Sequence, residues 1–184
     1  MATALDVILV VDVESTCWEG KPPPGETSEI IEVGLCPLEV ATGRRLERRG
    51  LLVAPQMSTI SPFCTQLTTI TAAMLEGAGT LKDASRVLQT EYDAKRRVWA
   101  SWGDYDRRQF ERNCKQLGMG YPFGTTHINV KNLFALAFGL DRGVGMARAL
   151  EIAGMPLDGT HHRSEDDAWN IAGLLALVLG RMRA

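Results

Sequence analysis

No run of about 18 apolar residues occurs in the chain, and the opening stretch Met1 to Asp6 carries no basic flank followed by a long apolar segment. A sequence-evident membrane helix or export signal is thereby excluded, and a soluble, cytoplasmic protein is expected. Cysteine is sparse. Cys17, Cys36, Cys64 and Cys114 form no Cys-x-x-Cys pair, which argues against a zinc ribbon or a dithiol redox site and for reduced thiols. An excess of positive charge is also missing: 20 basic against 22 acidic residues leave a net charge of −2. A nucleic-acid partner would therefore have to be gripped locally, at a site, rather than by bulk charge. There is no internal repeat and no low-complexity tract. What is present, 184 residues of which 45% are apolar, suffices for one domain over residues 1–184 with a core of its own and one active site.

Leu5 to Val13 is β-branched and apolar without helical period, which predicts a buried central strand. Glu19 to Gly25 holds three prolines between glycines and predicts an exposed loop beside Asp12 to Cys17. Glu29 to Leu38 and Arg45 to Ala54 form two further strands, with Ala41-Thr-Gly43 as their turn, giving an antiparallel meander. Helical spacing follows near 66–76 and 80–94, then a short strand from Arg97 to Trp102 and a helix from Asp106 to Leu117 closed by Gly118. A last short strand spans His127 to Val130. Helices near 131–139, 143–153 and 165–181 finish the chain, with Gly139, Gly154 and Gly180 near their ends. The order predicts an α/β fold, a mixed sheet flanked by helices.

Asp12 and Glu14 stand two apart at the end of the first strand, so both carboxylates take the same face. Side by side they repel, and a bound hard cation, Mg²⁺ or Mn²⁺, is one way to stabilise them. Taken alone, an Asp-x-Glu is more often a solvated strand end. In Trp102-Gly-Asp-Tyr-Asp106 either aspartate can start the following helix, but Asp106 shares its face with Phe110, Cys114 and Leu117, whereas Asp104 shares its face with Arg108 and Glu111. Asp106 is expected to point inward and Asp104 outward. Asp167 aligns with Ile171, Leu174, Leu175 and Val178 and also faces inward, where a carboxylate needs a partner. Ser164 with Asp167 three residues on is equally the pattern of a capping box. Asp166 aligns with Asn170 and Gly173 and is expected to be solvated. His162 precedes Asp167 by five residues, roughly 140° out of phase, so it belongs to the preceding loop, mobile enough to exchange a proton with water. His161 and His127 are expected to be structural or exposed, with His161 pointing elsewhere. Arg107, Arg108, Arg112 and the run Lys95 to Arg97 are basic clusters for which a solvated face with ordinary ion pairs to Glu111 and its neighbours is the plainer expectation.

Five segments in order, Val11-Asp-Val-Glu-Ser-Thr-Cys-Trp18, Ser28-Glu-Ile-Ile-Glu-Val-Gly34, Phe63-Cys-Thr-Gln-Leu-Thr-Thr-Ile70, Gly103-Asp-Tyr-Asp106 and His162-Arg-Ser-Glu-Asp-Asp-Ala-Trp-Asn-Ile-Ala172, resemble the DEDDh exonucleases of the RNase H-like fold. Within them the likeness is greatest to the ERI-type 3′ exonucleases of histone mRNA and small RNA. The resemblance runs over nearly the whole chain. It implies Asp12, Glu14, Asp106 and Asp167 as ligands of two divalent ions, Mg²⁺ or Mn²⁺, and His162 as general base. It implies a stacking pair on the 3′ terminal base, falling on Phe63 and Tyr105, although relatives often carry tryptophan at the latter position. It further implies contacts to the terminal sugar around Thr16 and Cys17, single-stranded RNA or DNA 3′ ends as partner, and nucleoside 5′-monophosphates as product. The rival is an exonuclease-like module that binds nucleic acid or protein without cutting. Loss of a metal ligand would signal it, and all five residues are present.

Overall fold

The computed structural model describes residues 4–183; Met1–Thr3, part of the opening stretch Met1 to Asp6, and Ala184 lie outside the described residues. Five strands, β1 (Ala4–Ser15), β2 (Ile30–Glu39), β3 (Arg49–Leu52), β4 (Arg97–Ser101) and β5 (His127–Asn129), form one sheet in the order β3-β2-β1-β4-β5. The pairs β1·β2 and β2·β3 are antiparallel, and β4 and β5 run parallel to β1. The expected mixed sheet forms, with the antiparallel meander extended by the short parallel strands β4 and β5. β1 is central, as an unbroken apolar run requires of a strand covered on both faces.

Alternation along β1 divides its side chains. Leu9, Val11 and Val13 pack with Leu88 of α3 (Leu81–Tyr92), Phe110 of α4 (Tyr105–Gln116) and Trp99. Ile8 and Val10 take the other face, under α5 (Val130–Ala137), α6 (Met146–Ala153) and α7 (Ser164–Arg183), against Phe134, Leu150 and Ile171. Each such side chain stabilises the fold by roughly 1.5–3 kcal/mol. A one-residue slip would reverse both sets, so the core fixes the register. It thereby sends Asp12 and Glu14, in phase with Ile8 and Val10, toward α7.

Two segments depart from expectation. Arg45 to Ala54 is strand only over β3, with isolated bridges at Leu38–Arg45 and Val53–Gly79. The break lies opposite Pro37, whose carbonyl accepts the Leu46 N–H at 2.9 Å but which has no N–H to return. The helical spacing near 66–76 splits into α1 (Pro62–Thr68) and α2 (Ala72–Leu75), because Thr69 turns left-handed at φ 63° and Thr71 caps the second helix. Gly139 and Gly154 are left-handed after α5 and α6, whereas Gly180 lies within α7. Among the described residues no helix is long and apolar enough to cross a membrane. The four cysteines are unbridged.

Two glycines set the seat of α7. Gly34 of β2 pairs with Asp12 on one side and with Gly50 of β3 on the other. A Cβ on Gly34 would come within 1.9 Å of the Ser164 carbonyl, and one on Gly50 within 2.9 Å of the Glu165 carboxylate. The first turn of α7 thus rests on bare backbone beside Asp12.

Candidate active site

Where β1 ends, Asp12 and Glu14 meet Asp167 from the first turn of α7, and the three bring carboxylate oxygens within 4.8 Å of one another. Asp106, in the first turn of α4 and only 3% exposed, lines the same cleft, while its Oδ1 accepts the Val13 N–H at 3.1 Å. It is tied to the β1 backbone and stands beside the closer trio. Asp104 turns outward as expected, toward Arg107 and Asn129. The capping box does not form: the Ser164 hydroxyl has no partner, and Asp167 accepts the His162 N–H at 3.0 Å. Glu32, buried on β2, serves the helix start instead, accepting from Ser164 N–H at 2.8 Å and from Arg163 at 2.7 Å. Asp166 is a correction. It is buried, ion-paired with Arg48 of the segment before β3, and accepts the Thr160 N–H at 2.6 Å.

Burial first, then the charges of Asp106, Asp167 and Glu14, hold the Asp12 carboxyl well above the usual carboxylate range. Glu14 is pushed up to about 9 by burial and by Asp167, Glu32 and Asp106. Burial raises Asp106 to about 6, against the Val13 N–H that pulls it down. Asp167 is raised by burial, against the pull of His161. Among the described residues no lysine or arginine forms an ion pair with any of the four; their only ion-pair neighbours are histidines. A set of oxygen donors that repel one another and form no ion pair with lysine or arginine among the described residues fits a hard divalent cation.

His162 occupies the turn before α7, as its spacing requires, at a left-handed φ of 65°. Such backbone costs on the order of 1–3 kcal/mol, and the bond from His162 N–H to Asp167 helps to hold it. The imidazole Nδ1 stands 3.8 Å from Glu14 Oε1. Burial and the neighbouring His161 lower its pKa. His161 does not point elsewhere: its Nδ1 lies 3.0 and 3.1 Å from the two Asp167 oxygens, and its ring stacks on that of His162 at 4.0 Å. Both histidines line the cleft. His127 is structural, packed on Trp99 and bonded to Ser101 Oγ at 2.9 Å.

The cleft, about 400 Å³, is also lined by Leu67, Trp102, Gly145 and Met146, none of which sequence reasoning singled out. Leu67 had a signal, since it is the leucine of the Cys64-Thr-Gln-Leu-Thr68 segment. Tyr105 lines the cleft and is 56% exposed. Phe63 lines an adjoining hollow with Pro62 and Gln66, and Leu67 borders both spaces. Of the two residues expected at the sugar, Cys17 reaches the cleft. Thr16 is buried and spends its hydroxyl on the loop, accepting from Glu29 N–H at 2.9 Å and donating to the Thr27 carbonyl at 3.2 Å.

The family model described as Exonuclease, RNase T, matches residues 9–175. The human 3′-5′ exoribonuclease 1 is 29% identical over 187 residues, covering 95% of this chain and 52% of its own length, so the chain spans about half of that relative. A probable 3′-5′ exonuclease, KapD of Bacillus subtilis (strain 168), is 26% identical, covering 93% of this chain and 83% of itself. Among solved structures, the nuclease domain of 3′hExo, a DEDDh family member bound to rAMP, superposes with a TM-score of 0.87 at 26% identity, covering 98% of this chain and 94% of that one.

Proposed function

The chain belongs to the RNase T exonuclease family and is of the DEDDh type, and from that premise we propose that it hydrolyses single-stranded nucleic acid from the 3′ end, RNA in preference to DNA, releasing nucleoside 5′-monophosphates. The observation that carries this is the convergence of carboxylate oxygens of Asp12, Glu14 and Asp167 within 4.8 Å, with no lysine or arginine ion-paired to them among the described residues, beside Asp106. These four residues would hold two divalent ions, Mg²⁺ or Mn²⁺. Bound there, such ions would supply activation of an attacking water and charge stabilisation of the leaving 3′ oxygen.

The protein's own groups do the rest. His162, with its pKa below the usual value, is neutral near pH 7 and accepts the water's proton. His161 bonds to Asp167 and fixes the orientation of that carboxylate. Tyr105 and Phe63 flank the terminal base, and Leu67, which borders both the cleft and the adjoining hollow, adds an apolar contact. Cys17 and the adjoining backbone contact the terminal sugar. A paired base cannot enter between two flanking side chains, so unpaired 3′ ends are preferred.

The test is incubation of the purified protein with Mg²⁺ or Mn²⁺ and 5′-labelled single-stranded RNA and DNA. A ladder shortening from the 3′ end, faster on RNA, is expected. No ladder with either ion, or full activity retained by Asp12→Asn, would refute the assignment.

A further inference from the structure

Asp158 is tied to α7, its N–H donating to Asn170 Oδ1 at 3.0 Å and its carbonyl accepting from Asn170 Nδ2 at 2.9 Å. Asp166 lies in the first turn of the same helix. The chain between them, with both cleft histidines, is therefore an arc closed on α7. Across it lies Arg48, which the segment before β3 supplies and which does not line the cleft. Arg48 Nε donates to Asp166 Oδ1 at 2.8 Å, Nη1 to Asp158 Oδ1 at 3.0 Å and Nη2 to the Asp158 carbonyl at 3.3 Å. One guanidinium thus joins both ends of the arc. Asp166 passes the constraint inward, since its Oδ2 accepts the Thr160 N–H at 2.6 Å. The backbone closes directly over this pair: Gly159 is left-handed at φ 91°, and a Cβ there would collide with the guanidinium and with the Asp166 carboxylate. Arg49, the next residue, pairs with Leu35 in the sheet, so the brace is rooted in the same framework that holds Asp12 and Glu14.

We propose that Arg48 is a positioning residue for the reaction, acting from outside the cleft: through Asp158 and Asp166 it sets the arc that holds the His162 imidazole beside Glu14. The inference rests on the exonuclease reading, in which His162 accepts the proton. Without Arg48 the buried Asp166 carboxylate would lack its cation. It would turn toward water and release the Thr160 N–H, and the turn would lose the side that Arg163 and Glu32 do not hold. Arginine suits the place because its planar fork meets three acceptors at once, whereas a lysine carries one compact charge.

The test compares Arg48→Ala and Arg48→Lys with Arg49→Ala, which removes the same charge one residue on, from contacts with Glu91 and Tyr92. On single-stranded RNA with saturating Mg²⁺, Arg48→Ala is expected to lower kcat about 10–100-fold, the scale of a displaced reacting group, with KM unchanged. Arg48→Lys keeps the charge, guards against a variant that fails to fold, and should lose a smaller share of kcat. Arg49→Ala should match the wild type. In a His162→Ala background, Arg48→Ala should cost little more, because a residue that acts through His162 has nothing left to position. Equal losses in both backgrounds, a rise in KM with kcat intact, or wild-type kcat in either Arg48 variant would overturn the proposal. The brace itself is read without turnover, in metal-free protein: the ¹H–¹⁵N signals of Gly159, Thr160 and His162 should move or broaden in both Arg48 variants while those of Val10 and Val11 stay in place. Unmoved signals over 159–162 would also overturn it. A wild type that cuts no strand, with these amide changes present, would instead sink the exonuclease reading and leave the brace standing.

Discussion

Asp12 and Glu14 ride on a central strand whose register is held by apolar side chains on both faces, whereas His161 and His162 come from a turn that follows the exposed segment 157–160. The strand positions its two carboxylates whatever else binds. The turn depends on a web of polar bonds, from Asp167 to His162 N–H, from Asp166 to Thr160 N–H and Arg48, and from Glu32 to Arg163. The proposed roles divide along the same line: two of the proposed ion ligands sit on the sheet, and the proposed base sits on the polar-bonded turn.

If that division is right, damage to the strand-held set should cost most. Asp12→Asn is expected to lower the cleavage rate by more than the roughly 10²–10⁴-fold typical of a lost general base, with far-UV circular dichroism unchanged. Retained activity with Mn²⁺ would place the ligands elsewhere.

The turn should show a graded response. His162→Ala should lose roughly 10²–10⁴-fold in kcat with ion binding retained. His161→Ala should lose about 10–100-fold, mainly as weaker ion affinity, because it contacts Asp167, a proposed ion ligand. The acid limb of the wild-type rate should lie below about pH 6.5, since burial lowers the His162 pKa. That limb should survive in His161→Ala and vanish in His162→Ala. The opposite pattern would make His161 the base.

Smaller effects belong to the rim. Tyr105→Ala and Phe63→Ala should each raise KM for single strands, by an amount equivalent to about 1–3 kcal/mol for a stacked base. Tyr105 should have the larger effect, since it lines the cleft itself and Phe63 only the adjoining hollow. Equal KM values in both variants and the wild type would leave the two side chains a packing role.

The mildest consequence is thermal. In the metal-free protein Glu14 keeps its proton up to about 9 instead of the ordinary 4.5, so between those values the folded state binds more protons than the unfolded one. The stability this provides is full below pH 4.5 and is lost as pH rises through about 9. Tm without divalent ions should therefore fall across that window, and Mg²⁺ should raise it most at the alkaline end. A metal-free Tm that climbs over the same range would contradict the buried-carboxylate picture.

Local periodicity made much of this legible. The period of two put Asp12 and Glu14 on one face, and the apolar stripes turned Asp106 and Asp167 inward while leaving Asp104 out. What stayed hidden depends on partners distant in sequence. Asp166 has the spacing of a solvated residue, yet Arg48, 118 positions away, draws it inside. His161 lies one residue from His162, and its contact with Asp167 and its stacking on His162 put both rings on the cleft. Leu67 sits within the Cys64-Thr-Gln-Leu-Thr68 segment, but that α1 borders both the cleft and the adjoining hollow is a matter of tertiary packing.

The glycine seat under α7 has a consequence for tolerance. Because Gly34 faces Asp12 across the ladder and touches the backbone of Ser164, the span from strand to helix is gauged by main chain against main chain. Such a spacer has no rotamers to populate. A single added methyl group at Gly34 would run into the Ser164 backbone, lengthen the gauge and draw Asp167 away from Asp12 and Glu14.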